Sequence, residues 1–210
     1  GYYDPDQMNF GALRVLNDDV ITKGKGFGMH SHENMEIITI PLFGDLEHKD
    51  SMGNSSVIRN GDIQVMSAGS GIRHSEYNHS NENVVKLLQI WIYPNQKNVQ
   101  PRYDQKTLNS SESINQLQQI LSPNPDDDGV WIHQDAWFHL GNFDSNHEIN
   151  YALKKAGNGV YLFVISGSFE INHQNLNERD GFGIWNIDQI QVKSTAENSR
   201  ILLIEVPMEF

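Results

Sequence analysis

The chain has no cysteine. That excludes a disulfide framework, thiolate metal sites and cysteine nucleophiles, and it fits a cytoplasmic setting. Basic residues are scarce: 15 Lys and Arg stand against 27 Asp and Glu, giving a formal charge of −12. A field of that sign opposes direct binding to a nucleic-acid backbone, and no run of Lys or Arg counters it. Long apolar runs are missing as well. A stretch such as Ile201-Leu202-Leu203-Ile204 is far too short to span a bilayer. No signal peptide is visible at Gly1-Tyr2-Tyr3-Asp4, so neither a membrane nor a secreted location is expected. A serine nucleophile elbow, a phosphate-binding glycine loop and a Walker motif are also lacking.

What the chain does contain is short apolar segments. Its 210 residues are 38% hydrophobic and 10% aromatic, enough for one large β domain or two small ones. Ile37–Ile40, Asp62–Met66, Val84–Ile92, Val160–Ile165 and Arg200–Ile204 are rich in β-branched and aromatic residues and are separated by Gly, Asn and Asp turns. Many short strands with regular turn signals predict an all-β sandwich or barrel. One segment departs from this. Ile114, Leu117 and Leu121 recur at helical spacing over Ser111–Leu121, and the Pro- and Asp-rich stretch Ser122–Gly129 would stop a helix.

The chain also resembles itself. Gly44-Asp45-Leu46-Glu47 and Gly167-Ser168-Phe169-Glu170 each follow an apolar strand, and Asn60-Gly61-Asp62-Ile63 is matched by Asp180-Gly181-Phe182-Gly183. Anchored on those glycines, Lys155 takes the place of His32 and Ser194 that of His74. A duplicated barrel follows, with one half loaded and the other empty.

The chemistry concentrates in four residues. His30 and His32 are spaced by two, and so are His74 and Glu76. Side chains at i and i+2 of a strand share a face, so two such pairs on adjacent strands would aim three imidazoles and one carboxylate at one point. That donor set suits a divalent iron, copper, nickel, manganese or zinc ion. Glu36 lies four residues past His32 in the same phase and competes with Glu76 as the carboxylate ligand. In that phase Ile38, Ile40 and Leu42 also share the face unless a bulge intervenes. The remaining histidines, His48, His79, His133, His139, His147 and His173, lack this pairing and are read as surface, turn or core residues. His133 and Asp135 do form a further i, i+2 pair, with Asp135 assigned to strand-end hydrogen bonding.

The motifs His30-Ser31-His32 with Glu36, then Gly61 and His74 with Asn78, resemble the two cupin motifs. Leu46–Asn54, Val57–Gly69 and Gly71–Glu76 are similar to pirin, and Leu88–Ile92 and Ile132–Ala136 to its bacterial branch. The resemblance covers nearly the whole chain and is densest from about Met29 to Trp91. It implies a bicupin of two antiparallel β-barrels or jelly rolls joined by a short helix, with metal in the N-terminal barrel alone. The expected divisions are an N-terminal domain over 1–105, a helical linker over 106–129 and a C-terminal domain over 130–210. The resemblance further implies one divalent ion, Fe(II) first, held by His30, His32, His74 and Glu76, with Glu36 outside the ligand set. Pirins commonly carry Pro and Arg where this chain has Ser31 and Glu33.

The activity implied is quercetin 2,3-dioxygenase-like: a flavonol substrate and O2, with Glu76 as ligand and catalytic base. Phe27, Met29, Phe43 and Met66 are expected to sandwich the aromatic substrate. Two rival readings are a non-enzymatic metal or redox sensor that binds a protein partner, and a metal that merely braces the barrel. Because two barrels can satisfy each other within one chain, a monomer is expected.

Overall fold

The computed structural model describes residues 8–210. It divides into two compact units, one built on residues 13–108 and 129–134, the other on 10–12, 109–128 and 135–210. Among the described residues no helix is long and apolar enough to cross a membrane.

The first unit opens with β1 (Leu13–Ile21), β2 (Gly26–His32), β3 (Glu36–Phe43), β4 (Leu46–Asp50), β5 (Ser55–Ile58), β6 (Asp62–Ser67), β7 (Ile72–Asn78), β8 (Val85–Ile92) and β9 (Arg102–Thr107). They form two antiparallel sheets, ordered β1-β8-β3-β6-β9 and β2-β7-β4-β5. The central strands β3, β6 and β8 are buried along almost their whole length, and β3 and β8 read accordingly as mostly apolar runs. β2, Gly-Phe-Gly-Met-His-Ser-His, is exposed at most positions and forms an edge. Ile37, Met66, Ala68 and Ile72 make one core cluster, and Ile21, Leu46, Ile58, Val85 and Leu87 another.

Then follow β10 (Leu117–Ser122), β11 (Val130–Trp131, which falls in the first unit), β12 (Trp137–Phe143), β13 (Glu148–Ala152), β14 (Asn158–Ser166), β15 (Ser168–Ile171), β16 (Gln174–Asn177), β17 (Gly181–Ile184), β18 (Gln189–Ser194) and β19 (Ser199–Pro207). The second unit contains the run β10-β12-β19-β14-β17 and the sheet β13-β18-β15-β16. Its order β12-β19-β14-β17 repeats β1-β8-β3-β6, and β13-β18-β15-β16 repeats β2-β7-β4-β5. The chain is a duplicated, antiparallel cupin-like fold, as its self-resemblance implied.

Gly44 and Gly167 turn equivalent hairpins, each with φ of 74°. A Cβ on Gly167 would lie 2.2 Å from Ser199 Oγ, and one on Gly44 would lie 2.6 Å from the Val84 carbonyl oxygen. Gly167→Ala is therefore expected to destabilise the protein by about 1–2 kcal/mol from backbone strain alone. A lower urea midpoint checks this; an unchanged midpoint contradicts it.

The strand registers correct the residue equivalences drawn from the glycines. Leu46 pairs with Asn78 and His48 with Glu76, whereas Phe169 pairs with Ser194 and Ile171 with Val192. Ser194 thus takes the place of Asn78, not of His74. His74 is matched by Ile190, and His30, opposite His74, by Tyr151, opposite Ile190. Lys155 lies beyond the end of β13. Connecting turns differ in length between the halves, so counting from one glycine slips the phase. In the second unit, Tyr151, Ile171, Ile190 and Val192 all belong to the hydrophobic core. Apolar packing fills the place where the first unit gathers its histidines.

Two further expectations are overturned. Ser111–Leu121 is not a helix, so 106–129 is not a helical linker. Only Ser110–Ser113 forms a 3₁₀ turn, capped by the Asn109 side chain, and Leu117–Ser122 is strand β10 paired with β12. Asn115 adopts a left-handed φ of 54°, which ends the turn, and Ile114 is 60% exposed, so the helical stripe has no core to bury in. A helix of this length is marginal on its own, and ladder pairing wins. The phase from His32 to Leu42 is also broken. β2 and β3 lie in different sheets, joined through Asn34 at φ 47°. Thr39 and not Ile38 stands opposite Gln89 and Gln64.

Candidate metal centre

β2 and β7 pair antiparallel with a register shift between Phe27 and His30, after which His30 lies directly opposite His74. Opposed residues share a face, and His32 shares it two residues on. The ring centroids stand 4.4 Å apart for His30–His74, 4.8 Å for His30–His32 and 5.0 Å for His32–His74. One nitrogen from each ring lies within 4.8 Å of the others. Two spaced histidines on an edge strand and one on its neighbour are thereby gathered around a single point.

Glu76 sits two residues along the same face and is only 2% exposed. It groups within 4.8 Å with His74 and with His48 rather than with His30 and His32. Its Oε2 accepts a 2.7 Å hydrogen bond from Gln89 Nε2, and Gln89 Oε1 in turn accepts from Trp91 Nε1 at 3.3 Å. Trp91 packs edge-on against His32 at 5.0 Å. A lone glutamine inside the apolar strand β8 therefore fixes the carboxylate, a role the sequence reading did not assign.

Electrostatics favour a cation in this place. Burial, then the neighbouring histidines, push the His74 pKa down to about 3, and burial followed by His30 lowers that of His32. Both rings are neutral donors at ordinary pH. Burial raises Glu76 to about 7 despite the Gln89 bond. Both ring nitrogens of His74 are buried and accept or donate no hydrogen bond, and His48 Nδ1 is likewise unpartnered. Unpaired buried nitrogens are costly, and a divalent ion would satisfy such lone pairs. His30 Nδ1 donates to the Gly28 carbonyl at 2.8 Å, which leaves Nε2 as its free lone pair. The residues present fit a borderline divalent metal.

Glu36 stands apart from both groups. It is 1% exposed and accepts from Ser67 Oγ at 2.7 Å. Burial raises its pKa from 4.5 to about 7, with Ser67 and then Arg102 opposing. Between these values the folded protein holds a proton there that the unfolded chain has released. Stability therefore falls as pH rises through that window, by up to about 3 kcal/mol. Glu36→Gln is expected to remove this part of the slope when metal-free protein is melted at pH values from 4.5 to 8. A slope equal to that of the parent contradicts the assignment.

A cavity of about 540 Å³ opens beside His32 and is lined by Ser31, His32, Glu33, Ser51, Gly71, Ile72 and Arg73. None of Phe27, Met29, Phe43 and Met66 is in its wall. Phe27 and Met29 are exposed on β2, 43% and 50%, and Phe43 is exposed at the far end of β3. Met66 is fully buried among Ile37, Ala68 and Ile72 and packs the core. The remaining histidines mostly sit outside the centre: His133 packs on Trp131, His139 is buried beside Tyr151, and His79 and His173 are exposed next to Glu47 and Glu170. His48 is the exception. It does have a partner at i+2, Asp50, which was the signal to follow.

Known proteins are similar to this chain along most of its length. The pirin family profile matches residues 1–92, and the profile of the quercetinase C-terminal cupin domain matches 119–206. A protein of Escherichia coli K12 named quercetin 2,3-dioxygenase is 41% identical over 98% of this chain and 87% of its own length. The crystal structure of YhhW from E. coli covers 100% of this chain and 88% of its own at 39% identity, with a TM-score of 0.93. A second structure, bacterial pirin YhhW in complex with nickel(II), covers 98% and 87% at 39% identity, with a TM-score of 0.91.

Proposed function

The chain belongs to the pirin family, and from that membership and the gathered histidines we propose that it is a metal-dependent dioxygenase opening the ring of a flavonol such as quercetin with O2. The observation that carries this reading is the convergence of three buried or half-buried imidazoles beside a buried carboxylate, with both nitrogens of His74 left without a hydrogen-bond partner. In this reading His30, His32, His74 and Glu76 hold one divalent ion, of which Fe(II) is the first candidate and nickel(II), bound by a relative, the next. When bound, such an ion lowers the pKa of a coordinated hydroxyl and supports electron transfer to dioxygen.

The protein's own part is orientation and proton handling. Glu76, a buried carboxylate grouped with His74, takes the proton of the substrate hydroxyl. Gln89 holds the Glu76 carboxylate in place, and Trp91 holds His32. The cavity beside His32 receives the substrate, with Glu33 and Arg73 within reach of its hydroxyl groups.

The test is to load the protein with Fe(II) or Ni(II), add quercetin in air, and follow the loss of its visible absorption together with release of carbon monoxide. Turnover that depends on the metal supports the reading. Metal-loaded protein that leaves quercetin unchanged contradicts it.

A further inference from the structure

We infer that His48 is a positioning residue that acts through His74: Asp50 fixes the His48 tautomer, and His48 Nδ1 accepts the N–H of metal-bound His74. The inference rests on the metal reading above and deepens it. A histidine that gives one nitrogen to a metal carries a proton on the other, and that N–H needs an acceptor. Both His74 nitrogens are buried without a partner, so the acceptor for the second must come from the protein interior.

The register places Asp50 directly opposite His74, but the Asp50 carboxylate is already saturated. Its Oδ1 accepts the Met52 and Asn54 amides at 2.9 and 3.0 Å, and its Oδ2 accepts Asn54 Nδ2 at 2.8 Å and His48 Nε2 at 3.3 Å. Four bonds use the four lone-pair sites of a carboxylate. The bond from His48 Nε2 has a consequence. It leaves His48 protonated at Nε2 and bare at Nδ1, and Nδ1 is a buried acceptor with no partner. The His48 ring faces that of His74 with centroids 5.4 Å apart and planes tilted by 42°. At that separation the rings are neighbours with no hydrogen bond yet between them, and a turn of the His74 ring as it takes the ion brings its N–H onto His48 Nδ1.

His48 is itself held. Its other face lies 4.8 Å from Tyr103 at 34°, and Tyr103 OH donates to Gln105 Oε1 at 2.8 Å. The fully buried His48 cannot turn toward solvent to find another donor. The result is an array of carboxylate, histidine, histidine and metal, in which Asp50 orients His48 and His48 orients His74 and raises its basicity toward the ion.

The experiment uses the full chain loaded with Zn(II). A long-range ¹H–¹⁵N spectrum is expected to find His48 protonated at Nε2, with a through-hydrogen-bond coupling between His48 Nδ1 and a nitrogen of His74. His48→Phe, which keeps the ring against Tyr103 and removes the acceptor, is expected to weaken Zn(II) binding by about 10–100-fold. The spectrum of the parent decides alone if the Phe variant does not fold. Zn(II) binding by a parent whose His48 carries its proton on Nδ1, or shows no coupling to His74, overturns this inference and leaves the metal reading standing. A parent that does not bind Zn(II) overturns both.

Discussion

Replacing His74 with alanine is expected to weaken divalent-metal binding by at least about 100-fold, roughly 3 kcal/mol, and to abolish measurable quercetin turnover. His74 belongs to both groups of converging ligand atoms, so its loss breaks both at once. The same change should cost the metal-free fold little. It opens a small cavity, but it also removes two buried nitrogens that have no partner, each of which costs about 1–3 kcal/mol in the folded state. The signature is therefore a divergence. Added Ni(II) should raise the melting temperature of the parent and leave that of His74→Ala unmoved, while the two metal-free proteins melt within a few degrees of each other. Equal metal-induced shifts in both would remove His74 from the site.

Glu76→Gln is expected to lower quercetin turnover by about 100- to 1,000-fold while the fold is retained. The substitution is isosteric, and Gln89 Nε2 still finds an oxygen by a flip of the new amide. What is lost is the negative charge and the ability to take a proton. Metal affinity should fall less than in His74→Ala, because the three histidines remain grouped within 4.8 Å without Glu76. Turnover and affinity falling in the same proportion would make Glu76 a ligand alone, with no part in proton transfer.

Much of the fold was legible in the chain because its central strands are buried on both faces. β8 and β14 read as apolar, β-branched runs since no solvent face interrupts them. The glycines at 44 and 167 announced the duplication because their left-handed backbone and crowded surroundings leave room for no other residue. The helical reading of Ser111–Leu121 failed for the complementary reason. Spacing alone cannot tell an amphipathic turn from a short strand, and the pairing partner of β10 is β12, a long way off in sequence.

The site was legible in part. His30, His32 and His74 were visible as spaced pairs, since the i, i+2 rule holds within a strand and a single register places β2 on β7. The rule stopped working at the turn through Asn34, which carried the chain into the other sheet and took Glu36 to Ser67. Gln89 could not be assigned from its neighbours, because its task depends on which sheet faces β7. His48 could have been. His48 and Asp50 repeat the spacing of the other two pairs on the strand that adjoins β7. The four apolar residues offered as a substrate sandwich came from phase and motif position alone, and Met66 lies in the core.

The most direct test of the account is elemental analysis of the protein purified without added metal, beside a His30→Ala/His32→Ala variant prepared in the same way. The account predicts close to one divalent transition-metal ion per parent chain and almost none in the variant. A parent that is isolated metal-free and takes up neither Ni(II) nor Zn(II), or a variant that retains its full complement, would contradict it.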